Sequence, residues 1–291
     1  MTYRFPAPTD PPRIMGILNV TPDSFSDGGR YDRPDAAVAR ALMMAAEGAD
    51  LIDVGGESTR PGAERIDADR QIARTAGVVA AVRAALDAAG HGPVVISIDT
   101  TRAPVAAAAL DAGAAVVNDV SGGEEDPDLL PLVAERHAAV VLMHKRGQPA
   151  DMQNAPVYDD VVAEVRARLQ DATARTTAAG VPAGSVAVDP GIGFGKTFDH
   201  NLALLAALPR LVADGVPVLL GTSRKRFLAR LAGRPDDRVE PDPAGGSAAT
   251  TALGVAAGVR TFRVHDVALH RQAADVAAAV TAAAADPGHA G

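Results

Sequence analysis

The chain contains no cysteine. That absence excludes disulfides, thiolate metal sites and thiol nucleophiles, and it suits a reducing compartment. Basic residues are the minority, 28 against 36 acidic ones, which leaves a formal charge of −8. A general nucleic-acid binder needs a basic face to displace counterions, so no nucleic-acid partner is expected. Any phosphate chemistry must come from a local basic pocket. No run reaches the ~18 apolar residues of a membrane span, and the opening MTYRFPAPTDPP has no apolar signal core. The expectation is a cytoplasmic protein without a membrane partner. What the chain does have is apolar bulk: 47% of its 291 residues are hydrophobic, enough for one barrel-sized domain or two smaller ones.

Eight short apolar segments recur: RIMGILN (13–19), ADLIDVGG (49–56), VVISIDT (94–100), AVVNDVSG (115–122), AVVLMHK (139–145), VAVDPGIG (186–193), PVLLGTS (217–223) and RTFRVHDV (260–267). Most are hydrophobic almost throughout, as strands buried on both faces are. Alanine-rich stretches with helical spacing lie between them, and several stop at a glycine (Gly48, Gly113, Gly180). Eight β-then-α units favour an α/β fold of the (β/α)8 barrel type over an open doubly wound sheet. Residues 13–283 form that domain, with an N-terminal extension at 1–12 and a frayed tail at 284–291. Long connections follow the first strand (20–34) and the second (57–67), and a third low-order stretch spans 233–247.

Polar residues gather at the C-terminal ends of the strands: Asn19, Glu57, Asp99, Asn118 with Asp119, His144, Asp189, Ser223-Arg224-Lys225, and Arg263 with His265 and Asp266. In a β/α barrel those ends converge on one mouth, where catalytic groups sit. One such residue is usually a helix cap; eight strand ends together point to a shared site. DPGIGFGKT (189–197) ends like a P-loop, but Pro190 stands where its first glycine belongs. Its glycines instead let the backbone pass close to a flat ligand. GTSRKRF (221–227) and RVHDV (263–267) place Lys225, Arg263 and His265 after the last two strands, where barrels build phosphate cradles. The loops NVTPDSFSDGG and GGESTRPGA are long enough to act on ligands. No HExxH and no three-ligand cluster of His, Asp and Glu argues for a dedicated zinc site.

Taken together, MGILNVTPDSFSDGG, GGESTRPGA, SIDT, NDVSGG, LMH, DPGIGFGK, GTSRK and RVHDV resemble the dihydropteroate synthases, in that family's order, across roughly residues 13–280. The resemblance implies joining a pterin-methyl diphosphate to p-aminobenzoate with release of diphosphate, in folate biosynthesis. It implies a homodimer and a target of sulfonamides. Asp99, Lys225, Arg263 and His265 would be the catalytic residues. Asp99, Asn118, Asp189 and Lys225 would meet the pterin edges, with Met143, Phe194 and Gly221 along its faces. A carboxylate is the natural bidentate acceptor for adjacent pterin N–H groups, and Asp189 is the candidate. Asn19, Arg263 and His265 would hold the diphosphate, with Asn19 also touching Mg²⁺, a metal content with oxygen ligands and substrate phosphate. Phe25, Thr59, Arg60 and Pro61 would form the p-aminobenzoate site. The reaction would pass through a cation-like substitution at the pterin methylene.

Three positions depart from the family pattern: Lys145 stands where methionine is frequent, Ile192 where a second phenylalanine is frequent, and Arg226 where the residue is often small or polar. All three are expected to affect the pocket rim or the arylamine contacts. Two other readings compete. A methyltetrahydrofolate-using corrinoid methyltransferase shares the barrel but would lack the diphosphate residues and long loops. A catalytically idle paralogue would have lost some of them.

Overall fold

The structure is a computed structural model that describes residues 2–20, 33–57, 65–147, 156–231, 233 and 244–285. Among these, eight strands and ten α-helices follow one another along the chain, with one 3-10 turn at Ala183–Ser185. The first half comprises β1 (Arg13–Asn19), α1 (Arg33–Ala46), β2 (Leu51–Gly55), α2 (Ala68–Ala88), β3 (Val95–Asp99), α3 (Ala103–Asp111), β4 (Val116–Asp119) and α4 (Leu129–Glu135). The second comprises β5 (Ala139–Met143), α5 (Val161–Ala178), β6 (Val186–Asp189), α6 (Phe198–Ala206), α7 (Leu208–Val212), β7 (Leu219–Leu220), α8 (Arg226–Leu231), α9 (Ala244–Ala256), β8 (Thr261–Val264) and α10 (Val267–Ala285).

The strands pair in parallel in the order β6-β5-β4-β3-β2-β1-β8-β7. A single parallel bridge between Val188 and Val218 joins the two ends, with the Val188 N–H donating to Pro217 O at 2.8 Å. The (β/α)8 barrel expected from the sequence is therefore present, with its thinnest seam between β6 and β7. Pro217 has no N–H to give to a ladder, which is why β7 is shorter than the 217–223 segment. Helices α1 to α5 follow the expected alternation, and Gly48, Gly113 and Gly180 end α1, α3 and α5 at φ of +94°, +110° and +104°. The expectation of a low-order stretch through 247 is corrected, because α9 begins at Ala244. Alanine is the best helix former, so the Gly245-Gly246 pair is carried into the helix by the Ala-rich run that follows.

Period-two alternation sorts the strand residues into two layers. Ile14, Ile52, Val54, Ile96, Ile98, Val117, Val140, Leu142, Val186 and Val188 belong to the larger cluster that includes the helices. Met15, Leu51, Val116, Ala139, Val141, Ala187 and Leu219 form a separate inner cluster with Phe5. Phe5 is buried, packs edge-on against Tyr3 at 5.1 Å, and its N–H donates to Gly184 O at 2.9 Å. Burying a phenylalanine contributes roughly 1.5–3 kcal/mol. The residues before β1 thus plug the lower end of the barrel with apolar side chains, and the polar inward positions are left to the other end. Among the described residues no helix is long and apolar enough to cross a membrane.

Candidate active site at the barrel mouth

The strand register decides which polar residues face inward. Asn19, Gly55 and Asp99 are level across β1, β2 and β3, and Asp99 is level with Asn118 of β4. Met143 of β5 is level with Asp189 of β6. A β-carbon placed on Gly55 would lie 3.5 Å from Asn19 Oδ1 and 3.7 Å from Asp99 Cβ, and one on Gly221 would lie 3.7 Å from Asp189 Oδ2, 3.9 Å from Arg263 Cβ and 4.0 Å from Lys225 Nζ. The two glycines therefore leave open the space between the charged groups. A side chain at either would fill it.

Arg263 is the centre of a buried network. Its Nε donates to Asp53 Oδ2 at 2.6 Å and its Nη2 to Asp99 Oδ2 at 2.8 Å. Asn118 Nδ2 donates to the same Asp53 oxygen at 2.9 Å. Asp53 is fully buried, and its other oxygen has no hydrogen-bond partner among the described residues. Burial, and then the nearby Asp53, Asp119 and Glu57, hold the Asp99 carboxyl up at about 7 against the pull of Arg263. On the far side, Asp189 accepts the Gly191 N–H at 2.7 Å. Burial raises the Asp189 pKa while Lys225 opposes the rise, and burial brings Lys225 down to about 8 while Asp189 opposes the fall. The Lys225 ammonium donates to Ile192 O and lies 4.7 Å from the centre of the Phe194 ring. Asp99, Asn118, Met143, Asp189, Gly221, Lys225, Phe194 and Arg263 thus share one end of the barrel.

His265 lies one residue past β8, where its N–H and its Nδ1 both meet Ser223 Oγ, at 3.2 and 3.1 Å. That serine joins the loops after β7 and β8. Arg224 takes φ of +58°, and its N–H donates to Ser247 Oγ at 3.2 Å, which ties the first turn of α9 to the same loop.

Other strand-end residues serve the backbone. Asp119 accepts from the Ser121 N–H and hydroxyl at 2.7 and 2.6 Å and from the Gly123 N–H at 2.5 Å, so it fixes a turn. Asp266 accepts the Leu269 N–H at 3.1 Å at the start of α10. His144 is buried, and its Nδ1 faces Lys196 Nζ at 3.0 Å. Burial and then Lys196 bring His144 down to about 3, so the ring that faces Lys196 is neutral, and burial brings Lys196 itself down to about 7. Lys196 also donates to the His144 and Phe194 carbonyls, at 3.3 and 3.0 Å, which pins the glycine-rich turn onto β5. Thr197 then caps α6 in a reciprocal box with His200. The P-loop look of this segment is a capped helix after a buried lysine.

The expectation that all three departing positions affect the rim or the arylamine contacts is corrected for Ile192, which is fully buried in the larger core. An apolar side chain after a tight turn gains more from that core than from the mouth. Lys145 is tied back to Glu125, which also receives Thr101 Oγ1 at 2.8 Å and Arg65 Nη2 at 2.6 Å. These partners outweigh burial and hold Glu125 down at about 2. Arg226 is exposed at the first position of α8. Phe25, Thr59, Arg60 and Pro61 lie outside the described residues.

Asp53 was missed from the sequence. It sits inside the apolar run LIDVG rather than at its end. The readable signal was its place two residues before Gly55, on the same inward face of a strand that is otherwise wholly apolar.

The pterin binding enzyme family matches residues 15–265. A dihydropteroate synthase of Mycobacterium leprae (strain TN) is 54% identical over 261 residues, covering 88% of this chain and 89% of that one. One from a Synechocystis strain is 42% identical over 267 residues, covering 92% and 89%. A solved Xanthomonas albilineans dihydropteroate synthase with 4-aminobenzoic acid superposes with a TM-score of 0.84 at 42% identity, over 97% of this chain and 99% of that one. The same organism's enzyme in complex with 7,8-dihydropteroate gives a TM-score of 0.81 at 41% identity, over 94% and 95%.

Proposed function

The chain belongs to the pterin binding enzyme family, among its dihydropteroate synthases, and we propose how the residues of its barrel mouth divide the work of that enzyme. The activity is a transferase reaction of folate biosynthesis. It joins a 6-hydroxymethyl-7,8-dihydropterin diphosphate to p-aminobenzoate, giving 7,8-dihydropteroate and diphosphate. The observation that carries the division is the largely buried to half-buried charge pattern, with carboxylates at Asp99 and Asp189 facing cations at Arg263 and Lys225 across an opening lined by two glycines.

In this reading Asp189 accepts the paired N–H donors of the pterin, Asn118 and Lys225 meet its other edge atoms, and Met143, Phe194 and Gly221 flank the ring. Lys225 exchanges its contact with the Ile192 carbonyl for the pterin. Arg263, His265 and Asn19 receive the diphosphate. The C–O bond at the pterin methylene breaks with its electron pair leaving on the diphosphate, and the arylamine nitrogen forms the C–N bond and gives up a proton. Asp99 stabilises the positive charge that the pterin ring carries between these events. Arg263 stabilises the charge that builds on the leaving group.

Magnesium fits the donor chemistry present. Among the described residues no group of three His, Asp or Glu side chains could cage a metal, but a hard cation can rest on one amide oxygen, water and substrate phosphate. Asn19 Oδ1, beside Asp99 at the mouth, is that amide oxygen. When bound, the ion would neutralise diphosphate charge. The p-aminobenzoate site is assigned to Phe25, Thr59, Arg60 and Pro61, and sulfonamides would compete there. A homodimer is supported by exposed apolar side chains on two adjoining helices, Leu253 on α9 and Val276 and Val280 on α10. A cytoplasmic location is supported by the cysteine-free chain.

The test is diphosphate release from the pterin diphosphate with and without p-aminobenzoate. Release that requires both substrates is the expected result. Release independent of the arylamine would mean hydrolysis, and no release would point to an idle paralogue.

A further inference from the structure

One fully buried carboxylate at the mouth is left without a role by the reaction scheme. Asp53 lies in the middle of β2, fully buried, above the apolar inner layer that contains Met15 and Leu51. Burying a carboxylate costs several kcal/mol unless it is well paired. Here the pairing is lopsided, since one oxygen takes Arg263 Nε at 2.6 Å and Asn118 Nδ2 at 2.9 Å while Oδ1 has no partner among the described residues. Ser97, level with Asp53 on β3, likewise has an unpaired buried hydroxyl. An apolar residue would suit this layer better for stability alone. The geometry at the used oxygen explains what is gained. β4 and β8 stand two strands away on opposite sides of β2, so a single atom fixes one side chain from each.

We propose that Asp53 is a positioning residue that couples the two halves of the substrate site, holding Asn118 for the pterin and Arg263 for the diphosphate through one carboxylate oxygen. The guanidinium of Arg263 is gripped at Nε by Asp53 and at Nη2 by Asp99. Two grips fix both the position and the plane of a rigid fork. The amide of Asn118 is oriented by the same oxygen, so its carbonyl end points away from Asp53 and its orientation is set before substrate arrives. This preorganisation links the two subsites without any direct contact between Asn118 and Arg263. It rests on the assignment of those two residues given above.

The experiment measures two small probes on the full chain by calorimetry: 6-hydroxymethylpterin, which lacks the diphosphate, and inorganic diphosphate. Asn118→Ala should weaken the pterin only and Arg263→Ala the diphosphate only. Asp53→Ala should weaken both, by about tenfold each, the value of roughly one hydrogen bond to a charged group. Asp53→Asn keeps an acceptor at the same place and should return both affinities to within about threefold of the parent. Asp53→Ser, too short to reach either partner, repeats the test if the alanine variant does not fold. The inference is overturned if the Ala or Ser variant binds both probes like the parent, if it loses only one, or if Asp53→Asn is no better than alanine. If Arg263→Ala binds diphosphate normally, the anion assignment fails instead, and the two failures are distinguishable.

Discussion

Asp99→Asn separates the charge at the end of β3 from its shape. Asparagine occupies nearly the same volume and its Oδ1 can still accept from the Arg263 Nη2, which Asp99 now receives at 2.8 Å. The pterin edge also finds an acceptor there, so ground-state binding should change by less than about tenfold. What disappears is the negative charge that Asp99 carries above its pKa of about 7, facing the methylene when the C–O bond breaks, so the assay is run above that pH. At a separation of about 5 Å and an effective dielectric of about 20, that charge is worth about 3 kcal/mol, on the order of a hundredfold in rate. The Asp99 side chain is only 10% exposed, so solvent screens it little. The assay is kcat from diphosphate release with both substrates saturating, alongside the pterin dissociation constant by calorimetry. A loss in kcat that exceeds the loss in pterin affinity by tenfold or more is expected. Equal turnover, or losses of the same size in both, would refute an electrostatic role.

Two further perturbations test the supports of the site. Gly191 has φ of +66°, and a β-carbon there would meet the His144 carbonyl oxygen at 1.8 Å. Gly191→Ala must therefore move the turn that carries the N–H bound to Asp189, at a cost of about 2 kcal/mol or more; a drop of several degrees in thermal unfolding together with weaker pterin binding is expected. His270 is buried between α9 and α10 with Nδ1 at 2.7 Å from Thr251 Oγ1 and Nε2 unpaired. Burial lowers its pKa to about 4. Because the folded state holds the neutral ring while the unfolded chain titrates near the ordinary value of about 6.5, stability falls as pH drops from about 6.5 towards 4. Between about pH 7 and 5 this one group removes up to about 2 kcal/mol. Denaturant unfolding should show the parent losing that much more than His270→Asn over the same interval, and parallel curves would contradict it.

The barrel was legible in the sequence because it is written in period. VVISID and AVVLM read as doubly buried strands, and the glycines after α1, α3 and α5 stand where the helices stop. Inward-facing residues at strand ends were legible for the same reason. Asp99, Asn118, Met143, Asp189, Gly221 and Arg263 each occupy the last or nearly last inward position before a loop. The pattern does not reveal which polar strand-end residues turn away from the mouth, as Asp119 and Asp266 do to backbone N–H groups and His144 does to Lys196, because hydrogen-bond choice depends on loops closing in three dimensions. Ile192 misled because one residue past a turn decides between core and rim. Asp53 was invisible for the opposite reason, since a carboxylate amid Leu, Ile and Val looks like noise until its partners arrive from strands 65 and 210 residues away in sequence.

Calorimetric titration of 6-hydroxymethylpterin into Asp189→Ala, compared with the parent, tests most directly the claim that the carboxylates at the strand ends hold the pterin. The account predicts that binding is lost in the variant, with the thermal transition still cooperative, because Asp189 is assigned as the acceptor for two adjacent N–H groups. Unchanged affinity in a folded Asp189→Ala chain would contradict it and move the pterin elsewhere.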